Sequence, residues 1–239
     1  MKFKIEDIRA ELEEKGWKVL SEKYNNLDEI MEFECANGHK VYAPYKKIRS
    51  KLECPVCKSN PTYQEPTHVV PKSSNVKRVI GLDQATQVTG YSIYDGDKLI
   101  TYGTFQATGA KEIERDIQIK QWLLSLIAIW KPDCVGIEGI QYEEKKGVTT
   151  FETLARLQGI LMATMVESGQ DYIICHTAKW REHCKVKGKT RADKKASMRA
   201  IVKSWYDINV TEDEADAIGI GKYTSNSYNK NFNSTGFEW

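Results

Sequence analysis

Three separated places in this 239-residue chain put carboxylates where they could act together. The apolar run Val79 to Leu82 ends on Asp83. A second buried-strand pattern, Asp133-Cys134-Val135-Gly136-Ile137-Glu138, ends on Glu138. Near the C-terminus, Glu212-Asp213-Glu214-Ala215-Asp216-Ala217 opens a helix, and its Asp213 and Asp216, three apart, share a face. Acids gathered in one place repel one another unless something neutralises them. A divalent cation does so, and hard oxygen ligands with open positions suit Mg²⁺ or Mn²⁺. Two such ions about 3.5–4 Å apart activate water and stabilise a leaving oxygen in phosphodiester hydrolysis. Each acid also has a plainer explanation. Asp83 alone fits a solvated turn residue equally well. Acids enrich helix N-termini because they complement the dipole, which covers Glu212, Asp213 and Glu214 better than Asp216.

A second constellation lies near the N-terminus. Cys35-x3-His39 followed by Cys54-x2-Cys57 gives four ligands in two close pairs, each on a tight turn, the spacing of a structural zinc site. The alternative is coincidental Cys and His in a surface hairpin. A unit this small, with few core positions, gains from such a staple. Between the pairs lie Lys40, Lys46, Lys47, Arg49 and Lys51, interleaved with Tyr42 and Tyr45. That suits a phosphate-contacting face, although a charge run is more often a solvated surface. Cys134 and Cys175 sit within apolar strand runs and read as packed thiols. His176, His183 and Cys184 match no compact tetrahedral pattern and read as local structure.

Elements must carry these groups. The pattern predicts a short helix over 4–16, strand-like runs at 17–20 and 30–35, and a polar, proline-containing linker over 60–76. Strands follow at 77–83, 88–94 and 98–106, the last two joined by Asp95-Gly96-Asp97, a tight-turn sequence. A helix over 110–130 stops at Pro132, and a strand over 133–138 follows. Next come a helix over 149–167 with a stripe from Phe151 to Met165, a strand over 172–175, and helices over 191–206 and from 213. Strands in succession and then helix–strand alternation predict an α/β layer fold with a mixed sheet. Small Gly219 and Gly221 allow the last helix to pack closely on that sheet. The Asn- and Ser-rich segment 224–239 reads as a disordered tail.

The ordered set Gly81-Leu82-Asp83-x5-Thr89-Gly90-Tyr91, then Ile137-Glu138, then Asp213-x2-Asp216-Ala217 resembles the RuvC-type Holliday junction resolvases of the ribonuclease H-like superfamily. The resemblance spans 77–223 and implies a five-stranded mixed sheet with flanking helices. It also implies Asp83, Glu138, Asp213 and Asp216 as catalytic ligands of two Mg²⁺ (or Mn²⁺), branched DNA as substrate, and a homodimer whose contact helix falls on the Phe151–Met165 stripe, a stripe that by its spacing fits a core face equally well. With their helix, their Leu20-Ser21-Glu22-Lys23-Tyr24 run and their Cys…Gly-His…Cys-Pro-x-Cys pattern, most of residues 3–59, within an expected module over 1–59, resemble the zinc-ribbon module attached to phage and bacterial nucleases, with zinc on Cys35, His39, Cys54 and Cys57. Roles in DNA recombination and repair would follow. Between Lys179 and Lys203, ten basic residues face two acids, a local excess in a chain whose net charge is only +2. Lys187-Gly188-Lys189 reads as a phosphate-gripping loop. Family basic residues that contact the scissile backbone match Arg181 and Lys194 best. Where related resolvases often place an aromatic wedge, this chain has Gln141, so Tyr142 is the candidate. Lys46, Lys47 and Arg49 are the ribbon's candidate DNA contacts.

The bulk numbers bound these readings. A hydrophobic share of 41% and a charged share of 28% are those of a soluble globular protein, and the near-neutral total makes no global argument for nucleic acid. No apolar run reaches membrane-span length and none resembles a signal peptide, so a cytoplasmic protein with no membrane partner is expected, in bacteria or a phage-infected host. Within the same chemistry, a broader fork- or flap-cutting nuclease is the close alternative. An actin-like ATPase would need a duplicated domain and a glycine-rich adenosine loop, and neither is visible. A non-catalytic DNA-binding protein on this scaffold would have no electrostatic reason to keep four clustered acids.

Overall fold

The computed structural model describes residues 3–36, 38–54, 57, 71–72, 76–142 and 147–232. By compactness the chain forms two units, Met1–Thr67 with Ala107–Ile129, and His68–Gln106 with Trp130–Trp239. Most of the expected linker over 60–76 lies outside the described residues.

The first unit begins with α1 (Ile5–Glu13), whose Ile8 and Leu12 are buried. A three-stranded antiparallel sheet follows, β1 (Lys18–Val19), β2 (Ile30–Glu34) and β3 (Lys40–Pro44), in that order. Strand alternation sends Met31, Phe33, Val41 and Ala43 inward and leaves Ile30 and Tyr42 on the open face. A short helix, α2 (Tyr45–Lys51), starts after Pro44 and buries Tyr45 and Ile48. Tyr45 donates to Glu11 of α1 at 2.7 Å, tying the two helices together. The same unit takes in most of α3 (Glu112–Trp130), with Ile119, Trp122, Leu123 and Leu126 buried.

The second unit is built on a five-stranded mixed sheet, order β6-β5-β4-β7-β8. Its strands are β4 (Arg78–Asp83), β5 (Val88–Asp95), β6 (Lys98–Gln106), β7 (Cys134–Gly139) and β8 (Tyr172–His176). The pairings β4–β5 and β5–β6 are antiparallel, and β4–β7 and β7–β8 are parallel. β4 and β7 are apolar and buried on both faces, as central strands of a covered sheet must be. The hairpin turn at Gly96 uses a positive φ of 56°, and Thr89 Oγ1 donates to Ala85 O at 2.9 Å to close the β4–β5 turn. Arg78 anchors the start of β4 through a two-pronged ion pair to Asp95, both bonds 2.6 Å, and donates to Trp130 O at 3.2 Å.

Around the sheet run α4 (Gly147–Glu167), α5 (Thr177–His183), α6 (Arg191–Tyr206) and α7 (Glu212–Phe232). α7 lies directly on β4 and β5, and glycines make that possible. A Cβ on Gly81 would sit 2.5 Å from Gly221 Cα and 2.7 Å from Ala217 O. On Gly90 it would sit 2.8 Å from the Asp213 carbonyl carbon. Ser92 Oγ then donates to Ala217 O at 2.6 Å across the same contact.

The disordered tail expected from 224 is corrected by α7, which continues to Phe232. Thr224 and Ser225 are fully buried: Thr224 lies over Gly136 and within 3.3 Å of Cys175 Sγ, and Ser225 Oγ donates to Gly96 O. Tyr228 donates to Asp171 at 3.0 Å. Small hydroxyls in a polar-looking segment fill space that larger side chains could not. Residues 233–239 lie outside the described set. Among the described residues, no helix is long and apolar enough to cross a membrane.

Candidate active site

Asp83 is the last residue of β4 and Glu138 the last but one of β7, its parallel neighbour. The β4–β7 register runs to Leu82–Ile137, so the acids occupy the next, matching step at one edge of the sheet. Asp83 pairs with Gly90 on β5, and the Asp213 backbone lies over that glycine. α7 thereby brings Asp213 and Asp216 to the same rim. Its first turn is closed by a reciprocal pair, Thr211 N to Glu214 Oε2 at 2.8 Å and Glu214 N to Thr211 Oγ1 at 3.3 Å. Glu214 thus has a structural use, while Asp213 and Asp216 turn towards the strand ends.

The geometry around these acids is polar and enclosed. Glu138 Oε1 accepts from Trp180 Nε1 at 3.1 Å and from Thr177 Oγ1 at 3.2 Å, both on α5, which fixes the carboxylate's direction. Lys195 of α6 sits 2.8 Å from Asp216 Oδ2 and 3.9 Å from Asp83 Oδ2. With side chains only 8% and 3% exposed, the Lys195–Asp216 pair is nearly out of water. Arg181 Nη2 lies 3.6 Å from the same Asp216 oxygen and stacks over the Trp180 ring at 5.1 Å.

Burial, then the charge of Glu138, pushes the Asp83 carboxyl well above the usual carboxylate range; Lys195 pulls it down, and Asp216 and Asp213 push it up further. Burial works against the charge on Lys195, but Asp83 and Asp216 outweigh it and hold the ammonium above the ordinary lysine value. The site is an acid cluster with Lys195 and Arg181 as its cationic partners. Its donor set fits a hard divalent cation, with oxygen ligands and a field that favours positive charge. The carboxylates are spread more widely than the Cys/His cluster. Among the described residues, only that cluster brings three or more ligand atoms within 4.8 Å of one another.

That cluster is Cys35, His39, Cys54 and Cys57. Cys35 Sγ lies 3.5 Å from His39 Nδ1 and 3.9 Å from Cys57 Sγ, and His39 Nδ1 lies 3.1 Å from Cys57 Sγ and 3.7 Å from Cys54 Sγ. A tetrahedral ion with Zn–S of about 2.3 Å has ligand edges of about 3.8 Å, so the spacing fits zinc. Hydrogen bonds with Cys35 and Cys57, then burial, push the Cys54 thiol far up.

The other sequence candidates are placed less uniformly. Lys187 and Lys189 are exposed on the loop between α5 and α6, where Gly188 takes a φ of 140°. Lys194 is half-buried, and the structure brings its neighbour Lys195 to the acids instead. Tyr142 is 54% exposed and meets Phe151 edge-on at 5.9 Å. In the ribbon, Lys46 pairs with Asp28, and Arg49 pairs with Glu11 at 3.3 Å and covers the Phe3 ring, so two of its three candidate cations already have anionic partners. Lys47 is exposed. Lys195, Thr177 and Trp180 escaped the sequence reading. Lys195 was one cation among ten, and α5 is too short to show a helical period.

The family model described as crossover junction endodeoxyribonuclease RuvC matches residues 79–221, well over half of the chain. No match was found among curated proteins. Of solved structures, Thermus thermophilus RuvC in complex with Holliday junction substrate is 13% identical at TM-score 0.52, covering 65% of this chain and 96% of that one. A second Thermus thermophilus RuvC structure is 13% identical at TM-score 0.51, covering 66% of this chain and 97% of that one. At such identity the likeness speaks for the fold, and the matched span contains both strand-end acids and the α7 pair. The chain belongs to the crossover junction endodeoxyribonuclease RuvC family.

Proposed function

We propose that this protein is a structure-selective DNA endonuclease that resolves four-way junctions as a homodimer, by paired symmetric nicks. The observation that carries the reading is the convergence of Asp83, Glu138, Asp213 and Asp216 on one rim, within the span matched to the family. The Thermus relative binds a Holliday junction substrate, which is why four-way junctions are named first.

In this reading the four acids hold two Mg²⁺ or Mn²⁺ ions, which when bound supply Lewis-acid stabilisation of charge on the phosphate. Water adds to phosphorus and the bond to the 3′ oxygen breaks, leaving 5′-phosphate and 3′-hydroxyl ends. Thr177 and Trp180 orient Glu138, and Lys195 and Arg181 offset the acids' repulsion. Lys187, Lys189 and Lys194 meet phosphates, Tyr142 meets an opened base, and Lys46, Lys47 and Arg49 extend the contact from the zinc-bound ribbon. Leu157, Leu161 and Met165 of the expected contact stripe are buried in the core, so the partner subunit docks on the other side of α4, where Val148, Gly159, Ala163 and Val166 are exposed. The setting is the cytoplasm.

One set of digests tests this. Four-way junction, fork, flap and linear duplex are incubated with Mg²⁺, and a plasmid bearing an extruded junction reports paired cuts as linear product and single cuts as nicked circles. The wild type is expected to favour the four-way junction and to linearise the plasmid. Asp83→Asn should lower cleavage by at least ~10³-fold, the size of effect expected when transition-state stabilisation is removed, while leaving junction binding intact. Retained cleavage by that variant would sink the site assignment. Equal cutting of forks and flaps would favour the broader branched-DNA enzyme.

A further inference from the structure

Strand alternation turns Gln84, which follows Asp83, away from the face that α7 covers and towards α4. The register between β4 and β7 ends at Leu82–Ile137, one step short of Asp83 and Glu138. At that step a side chain takes over from the ladder. Gln84 is 6% exposed, and its Nε2 donates to the Glu138 backbone oxygen at 3.0 Å and to Gln158 Oε1 at 3.1 Å. Gln158, on α4, uses the same oxygen to accept from Ile140 N at 3.1 Å. Both partners of the Gln84 amine are acceptors and both partners of the Gln158 oxygen are donors, so the two amides fit in only one orientation. The end of β4, the end of β7 and α4 are thus joined by three bonds through two side chains.

We propose that Gln84 and Gln158 are positioning residues that hold the ends of β4 and β7 at the separation Asp83 and Glu138 need to share metal ions. They act through the backbone that follows the Glu138 side chain, at its own carbonyl oxygen and at Ile140 N, and neither is a catalytic group. The inference rests on the proposed function only in naming the acids as metal ligands. Glu138's side chain is fixed from α5 by Thr177 and Trp180, and its main chain is fixed by this pair. Both are required to define where its carboxylate lies. A misplacement of about 1 Å in such a group lowers turnover by about 10²-fold.

The test compares Gln158→Leu, which keeps the volume and loses the acceptor, with Gln158→Glu, which keeps an acceptor for Gln84 and Ile140. Three quantities are measured on the full chain: kcat and KM on a four-way junction, the Mg²⁺ concentration for half-maximal cleavage, and Mn²⁺ binding to DNA-free protein by titration calorimetry. Gln158→Leu is expected to lower kcat about 10²-fold with KM changed less than about threefold. It should also raise the Mg²⁺ requirement and weaken Mn²⁺ binding, with Gln158→Glu recovering most of each. Wild-type kcat and Mn²⁺ affinity in Gln158→Leu would overturn the proposal. If that variant does not fold by circular dichroism, Gln84→Met carries the same comparison, and loss of fold in both would also overturn it, because the pair would then be only structural. Should the wild type cut no branched DNA, the function reading fails by itself, and the Mn²⁺ titrations still decide the positioning role.

Discussion

Lys195 shows how one residue can satisfy a cluster that is otherwise electrostatically unfavourable. Its ammonium bonds Asp216 at 2.8 Å where both side chains are almost dry, with Asp83 within 3.9 Å. Replacing it by methionine keeps much of the packing and removes the charge. Breaking a buried pair from one side costs up to about 3–5 kcal/mol, and here less than that limit because Arg181 still lies 3.6 Å from Asp216. A divalent cation bound by the same acids offsets that cost, and binding to the native state raises stability by linkage. Lys195→Met is therefore expected to melt at lower temperature than the wild type without metal, and to gain more from added Mg²⁺. Thermal melts with and without Mg²⁺ check both; an equal Mg²⁺ increment in the two proteins would mean that Lys195 and the metal do not share the same carboxylates.

At the scale of elements, the decisive contact is α7 on β4 and β5. Gly81 and Gly90 leave no side chain between helix and sheet, and the close approach brings Asp213 and Asp216 to the strand ends. In Gly81→Ala the new methyl meets the backbone of Gly221 and Ala217, and backbone cannot swing aside as a flexible side chain can. The expected loss is about 3 kcal/mol or more in urea unfolding, near the upper end for overpacking, with cleavage reduced even in the folded fraction. Normal stability would mean that α7 can lift without cost. Much of this arrangement was legible beforehand. The strands ending on Asp83 and Glu138, the small residues of α7 and the 3.6-residue period of the long helices all appear in local patterns. Which cation of the run from Lys179 to Lys203 faces the acids was not legible. Lys194 and Lys195 differ by one helical step, and only the packing of α6 through Met198 and Val202 decides between them. Nor was the end of α7, because Thr224 and Ser225 look like tail residues until Gly136 and the Gly96 carbonyl are seen beneath them.

For the whole molecule, the two compact units are held by different forces. The second has a large apolar core on both faces of β4 and β7, including Val79, Ile80, Leu82, Val135 and Ile137. The N-terminal ribbon has a small core around Ile8, Leu12, Phe33, Tyr45 and Ile48, plus the Cys/His cluster that ties the β2–β3 turn to Cys54 and Cys57. Zinc bound by that cluster would add its binding free energy to the folding free energy of the ribbon. Stripping zinc with a chelator, or Cys54→Ser, is expected to expose the amides of β2, β3 and α2 to hydrogen exchange while β4, β5 and β7 stay protected. Mg²⁺-dependent cleavage should persist with kcat little changed, and DNA affinity should fall if the ribbon's Lys47 face contributes to binding. Loss of protection in β4 and β7 together with the ribbon would mean that the units fold as one, and that zinc supports the acid site as well as the ribbon.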